Sequence, residues 1–249
     1  MSGHSKWATI KHKKGAADSR RAKVFAKLIR QVEVAAREGG GDPTMNPTLR
    51  TMFQKARDSS VPLDTIERAI KRGTGELEGV TYEQITYEGY AAGGVAVLIE
   101  VLTDNRNRTG SDVRSIFSRA GGSMAEPGAV AWQFHRKGVI IVPGTVEEDE
   151  LMLAAADAGA EDIERDGDLW SVTTPAGDLQ AVRTALEEAS VPVDSADLAM
   201  VPENRIPLDS PSTAKQVLNL IDALEENDDV QEVYANFDIP DSILEEVSA

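Results

Sequence analysis

Few residues in this chain could do covalent chemistry. Cysteine is absent, which excludes thiolate catalysis, disulfides and zinc sites built from cysteine. Three histidines are present, His4, His12 and His135. His4 and His12 stand among lysines, and such a set can cleave RNA by general acid–base catalysis. That chemistry also needs fixed geometry and excluded water, and residues 1–17 carry too few apolar side chains to supply either. Partial charge and hydrogen bonds toward phosphate are the simpler reading, with a structural role for His135. Glycine loops for phosphate are missing: Gly73, Thr74 and Gly75 lack the third glycine of a dinucleotide fingerprint, and no Gly-Lys-Ser/Thr occurs. Carboxylate pairs such as Glu187-Glu188 and Asp228-Asp229 read as solvated faces. No catalytic residue, metal, cofactor or small-molecule substrate is expected.

The remaining chemistry is that of cations. Residues 1–73 hold sixteen Lys/Arg against seven Asp/Glu, a local balance of +9. The rest holds ten against thirty-five, −25, so a chain of net charge −16 keeps its positive charge at one end. Segregation of this kind points to a polyanionic partner. Lys6, Lys11, Lys13, Lys14, Arg20, Arg21, Lys23, Lys27 and Arg30 could neutralise several phosphates together, with His12 among them. Trp7 could stack on an unpaired base or anchor the basic arm to the helices behind it, and the residues do not choose between these. Arg106 and Arg108, beside Asn105 and Asn107, form a second candidate contact. Residues 104–137 around them hold six Lys/Arg and three Asp/Glu.

These residues need elements to hold them. From Asp18, a candidate N-cap, Val24, Phe25, Leu28, Val32, Ala35 and Ala36 recur on one helical face, with Arg20, Lys23, Lys27, Arg30 and Arg37 opposite. Asn46-Pro47 opens a second helix and Val61-Pro62 a third, giving a small bundle. After Gly79 the pattern becomes strand-like at Glu83–Glu88 and Val95–Thr103 across a glycine hairpin, then a polar loop, a helix, and a strand over Ala129–His135. Val139–Val142, a helix behind the capping box Thr145–Glu148, the hairpin at Asp166-Gly167, a helix over Asp178–Ala189 and a strand near Asp197–Met200 close a split βαβ unit. A helix over Ser212–Glu226 and a strand over Val230–Phe237 then supply what the preceding unit lacked. The expected fold is α+β: an N-terminal three-helix domain followed by two ferredoxin-like α/β domains, one inserted in the other. Its boundaries would be 1–79 for the basic arm and helices, 80–136 with 206–249 for the discontinuous domain, and 137–205 for the acidic insertion. Two consecutive domains with a separate tail are the alternative.

The opening Gly3-His4-Ser5-Lys6-Trp7, the following Ile10-Lys11-His12-Lys13, Glu88-Gly89-Tyr90 with Gly93-Gly94-Val95-Ala96, and Thr103-Asp104-Asn105-Arg106-Asn107-Arg108-Thr109 carry a resemblance over essentially the whole chain. They resemble the YebC/PmpR family, which includes the mitochondrial translational activator of cytochrome oxidase subunit one. Departures are mild: Ala91-Ala92 stands where Gly-Pro often occurs, and the acidic excess is pronounced. The resemblance implies a three-domain α/β protein without an assigned active site. It also implies one of two roles, a DNA-binding transcriptional regulator or a ribosome-associated translation factor that relieves stalling at proline runs.

The expected function is therefore non-catalytic regulation of gene expression through nucleic acid, DNA or ribosomal RNA, with the ribosome as a further partner. A small-molecule sensor built on the split βαβ unit and a nuclease using His12 are the competing classes. No signal-peptide core precedes the basic arm and no apolar run approaches the about 18 residues of a membrane span, so a cytoplasmic location and no membrane partner are expected.

Overall fold

The computed structural model describes the backbone of residues 17–248, and all their side chains except those of residues 17–21, 166, 241, 245 and 248. Lys6, Trp7, Lys11, His12, Lys13 and Lys14 lie outside the described residues. Helices α1 (Ala17–Gly39), α2 (Pro47–Asp58) and α3 (Leu63–Gly73) open the described chain. Leu28, Val32, Ala35 and Ala36 of α1 close a core with Leu49 and Ala56 of α2 and Ile66 and Ala69 of α3. Asn46 ties two helices together. Its Oδ1 accepts from the Leu49 N–H at 3.0 Å, capping α2, while its Nδ2 donates to the carbonyls of Ala35 and Gly40 at 2.8 Å each.

The chain continues through β1 (Glu83–Tyr90), β2 (Ala96–Thr103), α4 (Arg106–Arg119) and β3 (Ser123–Ala125). It then forms β4 (Phe134–Pro143), α5 (Glu148–Ala156), β5 (Asp162–Asp166), β6 (Leu169–Pro175), α6 (Leu179–Glu188) and β7 (Ser195–Pro202). Last come β8 (Ile206–Pro207), α7 (Pro211–Glu225), β9 (Val230–Ala235), β10 (Phe237–Asp238) and α8 (Asp241–Ser248). One four-stranded sheet has the order β3-β1-β2-β9, so a strand from the chain's end completes a sheet begun at residue 83. A second has the order β5-β6-β4-β7, with every neighbour antiparallel, which is the split βαβ order. Each sheet has its own core. Val97, Ile99 and Val101 of β2 face Val113, Ile116 and Phe117 of α4 and Val217, Ile221 and Leu224 of α7. The opposite face of β2, Ala96 and Leu98, packs against Val130, Phe134 and Met200. With both faces covered, β2 reads as a continuous apolar run and not as an alternation.

Three local expectations are corrected. The strands foreseen at Ala129–His135 and Val139–Val142 are one strand, β4, and it belongs wholly to the second sheet. Gly138 does not interrupt it, because the missing side chain lets Thr174 and Leu179 close against the backbone there. The edge of the first sheet is instead the short β3, paired with Glu88–Tyr90. The capping box at Thr145–Glu148 does not form: α5 starts behind Glu147 with no side-chain cap, and Glu148, Asp149 and Glu150 fill its first turn, where the helix dipole favours them. The polar loop of Asp104–Arg108 is already helical from Arg106, capped by Asn105, whose Oδ1 accepts from the Arg108 N–H at 3.1 Å.

The Glu88-Gly89-Tyr90 segment is an anchor. The buried Glu88 carboxylate accepts three backbone N–H groups, from Gly128 and Val130 at 2.6 Å and Ala131 at 2.8 Å. Burial pushes its pKa up, but the three donors together outweigh burial and hold the carboxyl below its ordinary value. Gly89 has no room for a Cβ, which would sit 2.6 Å from the Phe117 ring and 2.8 Å from the Ser123 carbonyl. No helix among the described residues is long and apolar enough to cross a membrane.

Candidate nucleic-acid interface

The sequence places Lys23, Lys27 and Arg30 on one stripe of α1, and the structure keeps them together. They point at the carboxyl end of α7. The Lys23 Nζ donates to the Glu226 carbonyl at 3.1 Å and the Lys27 Nζ to the Glu225 carbonyl at 2.8 Å. Arg30 Nη1 donates to the Asp228 carbonyl at 2.6 Å and to Asp229 Oδ1 at 3.1 Å, and its guanidinium lies 5.5 Å from the centre of the Tyr82 ring. The last carbonyls of a helix lack partners and carry the negative end of its dipole, so three cations there satisfy both hydrogen bonding and charge. Nucleic acid would have to displace this internal partner to reach the stripe. Arg20 and Arg21 lie on α1 one turn earlier, with side chains outside the described set.

Arg106 and Arg108 divide. Arg106 stays at the surface, 3.4 Å from Glu83 Oε1. Arg108 bridges Asp104 Oδ1 at 2.8 Å and Asp229 Oδ2 at 2.7 Å, and these two hydrogen bonds raise its pKa above the ordinary guanidinium value. Asp229 is the hub that sequence reasoning missed. It was read as half of a solvated acidic pair, yet it is 6% exposed. Besides Arg30 and Arg108 it accepts from Thr109 Oγ1 at 2.7 Å and Thr103 Oγ1 at 3.2 Å. Burial raises the Asp229 pKa, but the Arg108 and Thr109 hydrogen bonds and the Arg108 charge outweigh it and leave it lowered. The Thr103–Thr109 motif is therefore a socket for one carboxylate. Its only sequence signal was two threonines flanking an Asn-capped helix start.

A second junction gathers three units on one amine. Lys55 Nζ of α2 lies 3.3 Å from Glu232 Oε1 on β9 and 3.2 Å from Asp197 Oδ1 on β7. Burial depresses its pKa, while the two carboxylates more than compensate and raise it. Glu232 stands opposite Glu100 in the β2–β9 ladder, next to a register shift. Burial and then the Glu232 charge push the Glu100 pKa up, against Arg136 and Lys55. Arg72 and Arg37 both reach the buried Glu33, at 2.8 and 3.4 Å.

Much of the basic domain's charge thus serves internal contacts. The cations of its helices left at the surface are Arg57, Arg68 and Lys71, which enter no ion pair among the described residues. On the middle domain, Arg114 and Arg119 of α4 and Lys215 of α7 are exposed in the same way. An open groove of about 430 Å³ lies between these two helices, with Arg119 and Gly121 on one wall, Gln216 and Asn219 on the other, and Ile116 and Ala223 as its apolar part. No cluster of three or more His, Asp or Glu side chains disposed to hold a metal occurs among the described residues.

Comparison with known proteins agrees with this architecture. Residues 5–76 match the family model described as the TACO1/YebC protein N-terminal domain, and residues 82–237 the one described as the TACO1/YebC second and third domain. A protein of Rubrobacter xylanophilus named "Probable transcriptional regulatory protein" is 61% identical over 250 residues, covering 100% of both chains. One of Halothermothrix orenii with the same name is 56% identical over 251 residues, covering 100% of this chain and 99% of the other. The crystal structure of the conserved hypothetical protein Aq1575 from Aquifex aeolicus superposes with a TM-score of 0.86 at 46% identity, over 96% of this chain and 99% of that one. With both family models matched in sequence and the fold shared end to end, this chain belongs to the TACO1/YebC family.

Proposed function

We propose that the chain is a non-catalytic regulator of gene expression that works by gripping nucleic acid through its basic leading end. The observation that carries this reading is the charge segregation, +9 over residues 1–73 against −25 over the rest. A polyanion is attracted to the first and repelled by the second, which orients the molecule on its target and limits non-specific adhesion. The grip consists of Lys6, Lys11, Lys13, Lys14, Arg20 and Arg21, with Trp7 and His12 among them and the outward Arg57, Arg68 and Lys71 behind. The names of the relatives support a transcriptional role on DNA.

One feature of the helices favours RNA, and with it the translational reading. Helices α2 and α3 are joined by a short turn at Ser59–Pro62, the spacing of a helix-turn-helix. The second helix, however, presents Asp64 and Glu67 to solvent along with Arg68 and Lys71. A helix with as many acids as bases is repelled by the phosphates that line a major groove. The two targets are separated by measuring discrimination between an operator candidate and random DNA at about 0.15 M salt, alongside co-sedimentation with ribosomes. Selective DNA binding supports transcription. Ribosome association that disappears on Lys→Ala changes at positions 6, 11, 13 and 14 supports translation, and failure of both overturns the proposal.

A further inference from the structure

We infer that the groove between α4 and α7 is a second nucleic-acid contact, and that it takes single-stranded RNA. This rests on the reading of the protein as a nucleic-acid binder and adds a site distant in sequence from the basic arm. Helix α4 buries Thr109, Val113, Ile116 and Phe117, so its opposite face is turned to solvent. That face carries Arg114, Ser115, Ser118 and Arg119, all exposed. Lys215, Gln216 and Asn219 stand exposed across the groove on α7.

Three cations without an internal ion pair are an anomaly in a segment as acidic as residues 74–249. Elsewhere the same segment pairs its basic groups: Arg108 with Asp229, Lys137 with Glu161, Arg183 with Glu187, Arg205 with Glu164. The acids of the two helices, Asp112, Asp222 and Glu225, lie toward the other end, where Arg108 meets Asp229. A positive end is therefore left around the groove mouth, and phosphate is the complementary charge.

The lining narrows the partner further. Ser115, Ser118 and Gly121 are small, which allows close approach of a backbone. Gln216 and Asn219 each carry a donor and an acceptor, suited to base edges and ribose hydroxyls. The opening is concave, and its about 430 Å³ falls within the range of about 300–1,000 Å³ typical of ligand sites. The convex surface of a duplex can touch the rim arginines but cannot reach the amides. An unpaired strand can lay phosphates on Arg114, Arg119 and Lys215 and turn a nucleotide inward.

The test uses the full-length chain and a short oligouridylate carrying photoreactive thiouridine, with single-stranded DNA and duplex DNA as comparison probes. Crosslinks are expected in the peptides around Ser115–Gly121 and Ser212–Ala223, and they should persist when Lys6, Lys11, Lys13 and Lys14 are changed to Ala. The combined Arg114→Glu, Arg119→Glu, Lys215→Glu variant should lose them, weaken RNA binding at least about tenfold, and lower the salt slope by about 2, at roughly 0.7 per phosphate contact. The neutral set Arg114→Gln, Arg119→Gln, Lys215→Gln should show the same direction with an unchanged melting temperature. Crosslinks confined to the arm, with variants that bind like the parent, overturn the groove while leaving the proposed function standing. Equal or stronger capture of duplex DNA at the groove overturns the assignment to single-stranded RNA. Absence of binding to every probe removes the proposed function as well.

Discussion

Asp229 joins two arginines from distant parts of the chain, and its ionisation state is a stability switch at the acid end of the pH range. The folded carboxyl is held below its unfolded value, so its stabilisation is complete above the unfolded range near about pH 4 and is lost as pH falls through the lower folded value. Asp229→Ala leaves two threonine hydroxyls and two guanidinium groups without their shared acceptor and should cost about 2–4 kcal/mol at pH 7 in denaturant unfolding. The cost should shrink toward zero under acid conditions that protonate the parent carboxyl; a pH-independent difference would contradict the assignment. Glu100 has the opposite sign. Its pKa is raised by burial and by Glu232, so the folded state favours the protonated form, and the ionised form is a liability that sets in as pH rises. Glu100→Gln should therefore raise the melting temperature near pH 7, with the gain fading below about pH 4. A loss of stability at neutral pH would show that Arg136 and Lys55 dominate instead. Neither role was legible in the sequence, because Asp228-Asp229 and Glu100 look like any exposed acids until the partners 120 to 130 residues away are known.

At the scale of elements, periodicity was a good guide and charge was a poor one. The three helices of the basic domain, the glycine hairpins and the late helix and strand that complete the first sheet all follow from spacing, caps and turn residues. Periodicity assigns Lys23, Lys27 and Arg30 to one face of α1, but it is silent on what that face meets. The answer is a helix end about 200 residues further on. The split of β4 into two strands failed for a related reason: Gly138 looks like a break in one dimension and is a close-packing site in three. Docking of α1 on α7 is charge-assisted, so Lys23→Ala, Lys27→Ala and Arg30→Ala combined should loosen it. Hydrogen exchange is the direct check: amides of residues 74–82 and the last turn of α7 should exchange faster, with the helical core around Val32 and Ile66 unchanged. Uniform protection in both regions would show that other contacts hold the helices in place.

Across the whole molecule, three separate cores are joined largely by polar contacts: Arg30 and Arg108 on Asp229, and Lys55 on Asp197 and Glu232. Such joints weaken with salt and with competing anions, so a polyanion that binds the basic end also competes for the cations holding that end to the body. The central claim is that this end, positive on a negative molecule, is the grip. Its most direct test is binding of the full-length protein to random-sequence RNA and DNA by fluorescence anisotropy, across salt from about 0.05 to 0.2 M. Affinity should fall linearly on a log–log plot, and changing Lys6, Lys11, Lys13 and Lys14 to Ala should reduce the slope by about 3, at roughly 0.7–0.9 per contact. A slope that those four changes leave untouched, or binding indifferent to salt, would contradict it.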